Sequence, residues 1–208
     1  MTNILSDINE PARRTIVEKL NDIANCNEVE HLIAVESGSR AWGFPSPDSD
    51  YDVRFIYMRP RDRYLSLAKD RDVIDRPIVD DFDVNGWDIR KTLQLLLKHN
   101  AVVSEWINSP IRYLEDHSSI ARLSRLIDEF FDPLGYAMHY ASLARSNAER
   151  WTAGAQPVSI KKYFYALRPA LAARAIRLNP DQRPPMALPD LLAVTSLPST
   201  LVADDVLP

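Results

Sequence analysis

The chain has 208 residues, 46% of them hydrophobic and 26% charged, with a formal net charge of −4. That balance is ordinary for a folded globular protein and excludes a disordered or low-complexity chain. It also argues against a large nucleic-acid footprint, which usually shows a basic surplus, so any such site has to be a local patch on an acidic body.

In chain order, residues 11–25 place Ile16, Val17, Leu20 and Ile23 at helical spacing, with Pro11 suited to a first turn. His31–Glu36 is a short apolar run of strand length that stops at Ser37-Gly38-Ser39 and gives way to the polar loop GFPSPDSD. Tyr51–Met58 is rich in β-formers, and Pro60 ends it because proline cannot donate to a ladder. Two short strands are expected around Arg76-Pro77, the second over Asp81–Trp87. A helix follows over 89–99 with Asp88 as its N-cap, then a shorter one over 101–108 closed by Ser109-Pro110. From Ser118 the strand signal disappears, and helical patterns run over 118–131, 134–152 and 159–178. The last thirty residues hold six prolines and no long periodic segment, and read as a loose tail. The predicted organisation is α+β: a small mixed or antiparallel sheet flanked by helices in residues 1–116, then an all-helical region in 117–208.

The single cysteine, Cys26, cannot form an internal disulfide. No apolar run reaches the roughly 18 residues that span a bilayer, and MTNILSDINEPARR lacks the order of a signal peptide. The expectation is a cytoplasmic chain without a membrane partner.

The chemistry concentrates in ESGSRAWGFPSPDSDYDVRFIY. Asp50 and Asp52 are two residues apart, and a strand points such residues to one face. Two adjacent carboxylates repel unless a cation sits between them, and oxygen donors suit Mg²⁺ or Mn²⁺. Upstream, Gly38 allows close backbone approach to a phosphate, and Ser39 offers a hydroxyl and N–H groups to its oxygens. Each signal is weak alone. Together, strand, Gly-Ser, loop and Asp-hydrophobic-Asp-hydrophobic resemble the signature of the polymerase-beta nucleotidyltransferase superfamily. With DVNGWDIRK, NSPIRY and KKYFYALRPALAAR added, the chain resembles the RNA-repair-pathway polymerase-beta family over residues 30 to 178.

The resemblance implies an NTP-dependent, pyrophosphate-releasing enzyme that moves a nucleoside monophosphate to an acceptor, with ATP the favoured donor. Gly38 and Ser39 would hold the triphosphate, and Asp50 and Asp52 would bind two Mg²⁺ (or Mn²⁺) ions that stabilise the attacking and leaving oxygens. A third carboxylate comes from a neighbouring strand: Asp83 is preferred, and Asp88, with its competing N-cap role, is the alternative. Arg40 is a candidate for phosphate contact. In the helical half Lys161, Tyr165 and Arg168 share one helix face, with Lys162 beside them, as NTP-binding candidates or as a plain solvated face. The implied acceptor is RNA, in terminal addition or repair. The alternatives are a protein hydroxyl, as in AMP-attaching toxin–antitoxin enzymes, and a non-catalytic nucleotide-binding module.

Other residues read as structural. Trp42, Trp87, Trp106 and Trp151 are assigned to the core. His31, His99, His117 and His139 show no metal spacing, and no chemistry is assigned to Asn100, Glu105 or Ser109. Glu36 either supports the Gly-Ser turn or is solvated.

Overall fold

The structure, a computed structural model, describes residues 8–152 and 160–196, the side chains of 151 and 152 excepted. Helix α1 (Glu10–Asn27) starts where the Asn9 side chain accepts from the Ala12 N–H at 2.8 Å, with Pro11 in the first turn. Then follow β1 (Glu30–Glu36), the single turn α2 (Ser39–Trp42), β2 (Tyr51–Met58), α3 (Arg61–Leu65), β3 (Val73–Asp75) and β4 (Phe82–Asp88). Helices α4 (Ile89–Leu96) and α5 (Ala101–Ile107) lead to β5 (Arg112–Glu115) and α6 (His117–Glu129). Helices α7 (Pro133–Thr152), α8 (Ile160–Leu178) and α9 (Leu188–Thr195) complete the described chain. The break expected between the helical patterns 134–152 and 159–178 lies outside the described residues.

The chain divides into two compact units, one of the chain up to Lys98 with Val102–Phe130, the other of His99–Ala101 with the chain from Phe131. In the first unit the five strands lie in the order β3-β4-β2-β1-β5, and β2 with β4 is the parallel pair. This is the expected α+β architecture with a mixed sheet. Alternation sorts the side chains: Val53, Phe55 and Tyr57 of β2 meet Ile16, Leu20 and Ile23 of α1 on one face. On the other face Ile33, Val35 and Ile56 meet Leu96, Trp106, Ile107, Leu123 and Ile127 from α4, α5 and α6. Gly86 lets β4 pair closely with β2, because a Cβ there would stand 2.1 Å from the Phe55 ring. Because α6 buries Ile120, Leu123 and Ile127 in that second core, the units part at Phe130, beyond the boundary expected near Asp116.

Three elements lack a sequence expectation. The turn α3 is five residues long, and β5 is a four-residue edge strand whose Arg112 and Glu115 break the apolar alternation. The third, α9, replaces part of the expected loose tail. It is eight residues long with a proline in its first turn, and it buries Leu188 and Leu191.

In the second unit, α8 carries Pro169 in its interior. Proline has no N–H to return to the carbonyl four residues earlier, which is that of Tyr165. The Asn147 side-chain amide of α7 supplies the donor instead, at 2.7 Å. We expect Asn147→Ala to cost about 1–3 kcal/mol, the penalty of an unsatisfied polar group. In a Pro169→Ala background, where the backbone N–H returns, most of that cost should vanish. Urea melts of the four-member mutant cycle measure this coupling.

Candidate active site

The in-register pairing of β2 with β4 sets Asp52 directly beside Asp83. Neighbours in a parallel ladder share a face, so the two carboxylates converge although they are 31 positions apart (83 − 52). Between them stands a cationic group of the same face, the Arg54 guanidinium, 2.6 Å from Asp83 Oδ2 and 3.3 Å from Asp52 Oδ1. Arg54 also donates to the Asp83 carbonyl at 2.8 Å, and the Asn85 amide donates to Asp83 Oδ1. Among the described residues no three His, Cys, Asp or Glu side chains form a metal-holding cluster. Asp52 and Asp83 nonetheless offer an all-oxygen pair that suits a hard divalent ion, at a point where positive charge is already held.

Asp50 is exposed in the loop, immediately before β2 begins at Tyr51. Its loop is held by the Gly38–Arg40 segment. The Ser39 hydroxyl, buried in α2, donates to Ser49 Oγ at 3.1 Å, and Ser49 Oγ in turn accepts from the Ser46 N–H at 2.9 Å. Arg40 donates to the Ser49 carbonyl at 2.6 Å and the Asp50 carbonyl at 3.3 Å, and lies over the Tyr51 ring at 4.2 Å. Ser39 and Arg40 thus shape the loop that delivers Asp50. Gly38 serves through close approach rather than backbone angle: with φ −115° its conformation is open to any residue. A Cβ on it, however, would stand 1.7 Å from Asp52 Oδ2.

Glu36 is fully buried at the end of β1, so of its two expected roles the solvated one is excluded. Its Oε1 accepts from the Asp52 N–H at 2.9 Å and its Oε2 from the Tyr113 hydroxyl at 2.6 Å. Burial pushes its carboxyl up to about 7, although both hydrogen bonds pull the other way. Burial and the adjacent Glu36 push the Tyr113 phenol up as well. Ser109 closes the arrangement by donating to the Glu36 carbonyl at 2.7 Å. Glu36, Tyr113 and Ser109 therefore hold the backbone that presents Asp52.

Asp88 stands at the other end of β4, paired with Tyr57. It caps α4 through the Arg90 N–H at 2.8 Å and accepts from the Tyr64 hydroxyl at 3.1 Å. In the second unit Lys162 is exposed, Lys161 and Tyr165 are half-buried, and Arg168 is buried with its Nε donating to the Met186 carbonyl at 2.9 Å. Trp106 is buried and stacks on half-buried Trp87 at 4.0 Å, while Trp42 is half-buried beside Phe44. The side chain of Trp151 lies outside the described residues. Among the described residues no helix is long and apolar enough to cross a membrane.

Sequence reasoning missed Arg54, Tyr113 and the purpose of Ser109. Arg54 was within reach, since it lies two residues past Asp52 and so on the same face. Nothing local to Tyr113 or Ser109 marks a contact with Glu36 more than seventy positions away.

These features belong to the nucleotidyltransferase class. The chain belongs to the RNA repair pathway DNA polymerase beta family (RlaP), whose model matches residues 12–204. It is 46% identical over 174 residues to the uncharacterized protein YcgL of Bacillus subtilis (strain 168), and this match spans 84% of the chain but 66% of that relative. A crystal structure of a nucleotidyltransferase-like protein from Exiguobacterium sibiricum 255-15 aligns over 94% of this chain and 68% of its own, at 16% identity and a TM-score of 0.38.

The raised Glu36 carboxyl makes a signed prediction for the metal-free protein. Its folded value near 7 lies above its ordinary 4.5, so its contribution is full below 4.5 and is lost as pH rises through 7. Glu36→Gln should match the parent near pH 4 and exceed it by up to about 3 kcal/mol at pH 8, from roughly 1.4 kcal/mol per unit. Chemical denaturation of both proteins across that range measures the difference.

Proposed function

We propose that the protein transfers a nucleoside monophosphate from an NTP, with ATP favoured, to an RNA end, and that its chemistry serves RNA repair. The observation that carries this reading is the placement of Asp52 and Asp83 side by side, with Asp52 pressed against Gly38. Asp50, Asp52 and Asp83 are the proposed holders of two Mg²⁺ or Mn²⁺ ions. Asp83 is chosen over Asp88 because it pairs with Asp52 in the ladder, whereas Asp88 pairs with Tyr57 at the other end of β4 and caps α4. Bound metal supplies charge neutralisation at the phosphates and at the acceptor oxygen.

The chain's own groups do the positioning. Gly38 leaves room for the Asp52 carboxylate, and Arg40 keeps the Asp50 loop in place while offering positive charge at its edge. The ordered clamp of Glu36, Tyr113 and Ser109 keeps Asp52 from drifting, which is where such a site gains most of its rate. Arg54 neutralises the carboxylates before substrate arrives. Lys161, Lys162 and Tyr165 are proposed NTP contacts from the helical unit, whereas the hydrogen bond of buried Arg168 to Met186 gives that residue a structural duty.

A second reading, a nucleotide-binding module without turnover, is favoured by one observation: an arginine already occupies the gap between Asp52 and Asp83. Incubation with each α-³²P-labelled NTP, Mg²⁺ or Mn²⁺, total RNA and cell extract separates the two readings. Label on RNA that is lost in Asp52→Asn and Asp83→Asn supports transfer to RNA. Label on a protein band moves the acceptor to a protein hydroxyl, and nucleotide binding without any transfer favours the module.

Two variants extend the test. Gly38→Ala should lower transfer at least about 100-fold, because its Cβ displaces the Asp52 carboxylate by an ångström or more. Arg54→Met leaves two facing carboxylates without their cation. It should lower metal-free stability by about 1–3 kcal/mol, and added Mg²⁺ should raise its melting temperature more than the parent's.

A further inference from the structure

At the opposite end of β2 and β4 from Asp52 and Asp83, about 20 Å away at strand rise, lies a cavity of about 160 Å³. Five cationic side chains line it, Arg59, Arg63, Lys69, Arg90 and Lys91, against three aspartates. The aspartates are all engaged: Asp70 with Arg63, Asp72 with Lys91 at 3.6 Å, and Asp88 with Tyr64 and the Arg90 N–H, with Arg59 Nε 3.9 Å away. Setting three acids against five cations leaves a surplus of two. Lys69 and Arg90 carry it, since neither makes an ion pair among the described residues. The Arg59 Nε–H is buried and has no hydrogen-bond acceptor. Such an unsatisfied donor is costly, and an anionic oxygen is the acceptor it lacks.

A second cavity of about 620 Å³ shares Arg59 and Tyr64 with the first, and Val29, Met58 and Pro60 give it apolar walls. Glu28 and Glu30 also line it and balance Arg59 and Arg61, so it carries no net charge. Charge therefore sorts the two compartments: the basic one takes an anion, and the neutral, apolar-walled one takes an uncharged ring against Tyr64 and Met58.

We propose that these two cavities, which share Arg59 and Tyr64 as lining, together form a site for a nucleoside phosphate, with the phosphate among Arg59, Lys69 and Arg90 and the base in the apolar compartment. It is separate from the Asp52–Asp83 site and rests on no bound metal. A free mononucleotide and the 5′-terminal nucleotide of a strand present the same chemistry here.

The test is calorimetric titration of the metal-free full chain at low salt, where charge contacts are least screened. The probes are inorganic phosphate, AMP and a 5′-phosphorylated RNA oligonucleotide. AMP should bind at least tenfold tighter than inorganic phosphate. Lys69→Glu/Arg90→Glu, two exposed positions, should weaken AMP at least tenfold, and Lys69→Ala alone should weaken it several-fold. Asp52→Asn/Asp83→Asn should leave this binding unchanged. Tighter binding of the oligonucleotide than of AMP assigns the site to a strand end, and equal binding assigns it to a free nucleotide. The proposal is overturned if neither AMP nor the oligonucleotide binds at millimolar concentration, if inorganic phosphate binds as tightly as AMP, or if the folded charge-reversal variant binds AMP like the parent.

Discussion

Parallel pairing between β2 and β4 is the contact on which the site depends. A ladder with a fixed register makes residue 52 the neighbour of residue 83, and a slip of one position would turn Asp83 to the opposite face. The register is enforced away from the carboxylates. The Phe55 ring lies over Gly86, and Ile56 sits beside Trp87, which stacks on Trp106 in the core under α5. Apolar packing at the middle of the strands thus sets the position of polar groups at their start.

Bringing like charges together is unfavourable, and the molecule offsets this with local means. Arg54 places a guanidinium between the carboxylates, and Asn85 donates to one of them. Beneath Asp52, a buried Glu36 holds the backbone in place while its own carboxyl is pushed up to about 7 by desolvation. A buried acid with few polar partners is a poor source of stability. Its value lies in position, since it joins the ends of β1, β2 and β5 through the Asp52 N–H, the Tyr113 hydroxyl and, by its carbonyl, the Ser109 hydroxyl.

Charge is unevenly distributed over the first unit. The net acidic chain concentrates positive side chains around Arg59, Arg63, Lys69 and Arg90, at the end of the strands remote from the carboxylates. An acidic average is therefore compatible with a local basic cavity, because screened Coulomb interactions act over roughly 10 Å rather than over a whole molecule.

Much of this was legible in the amino-acid order, because the relevant signals are local. The spacing of Ile16, Leu20 and Ile23 marks α1, the alternation through Val53, Phe55 and Tyr57 marks β2, and the acidic pair Asp50 and Asp52 stands out at its entry. Gly38-Ser39 between a strand and that acidic pair carried the family resemblance. Four-residue β5 and eight-residue α9 are too short for a periodic signal and form because the packed chain accepts them. The tertiary structure alone decided the parallel register that sets Asp83 beside Asp52, that Glu36 is a buried clasp, that α6 packs on the sheet and that Asn147 serves the carbonyl freed by Pro169. Each of these joins residues far apart in the chain, and periodicity carries no information about which distant surfaces meet.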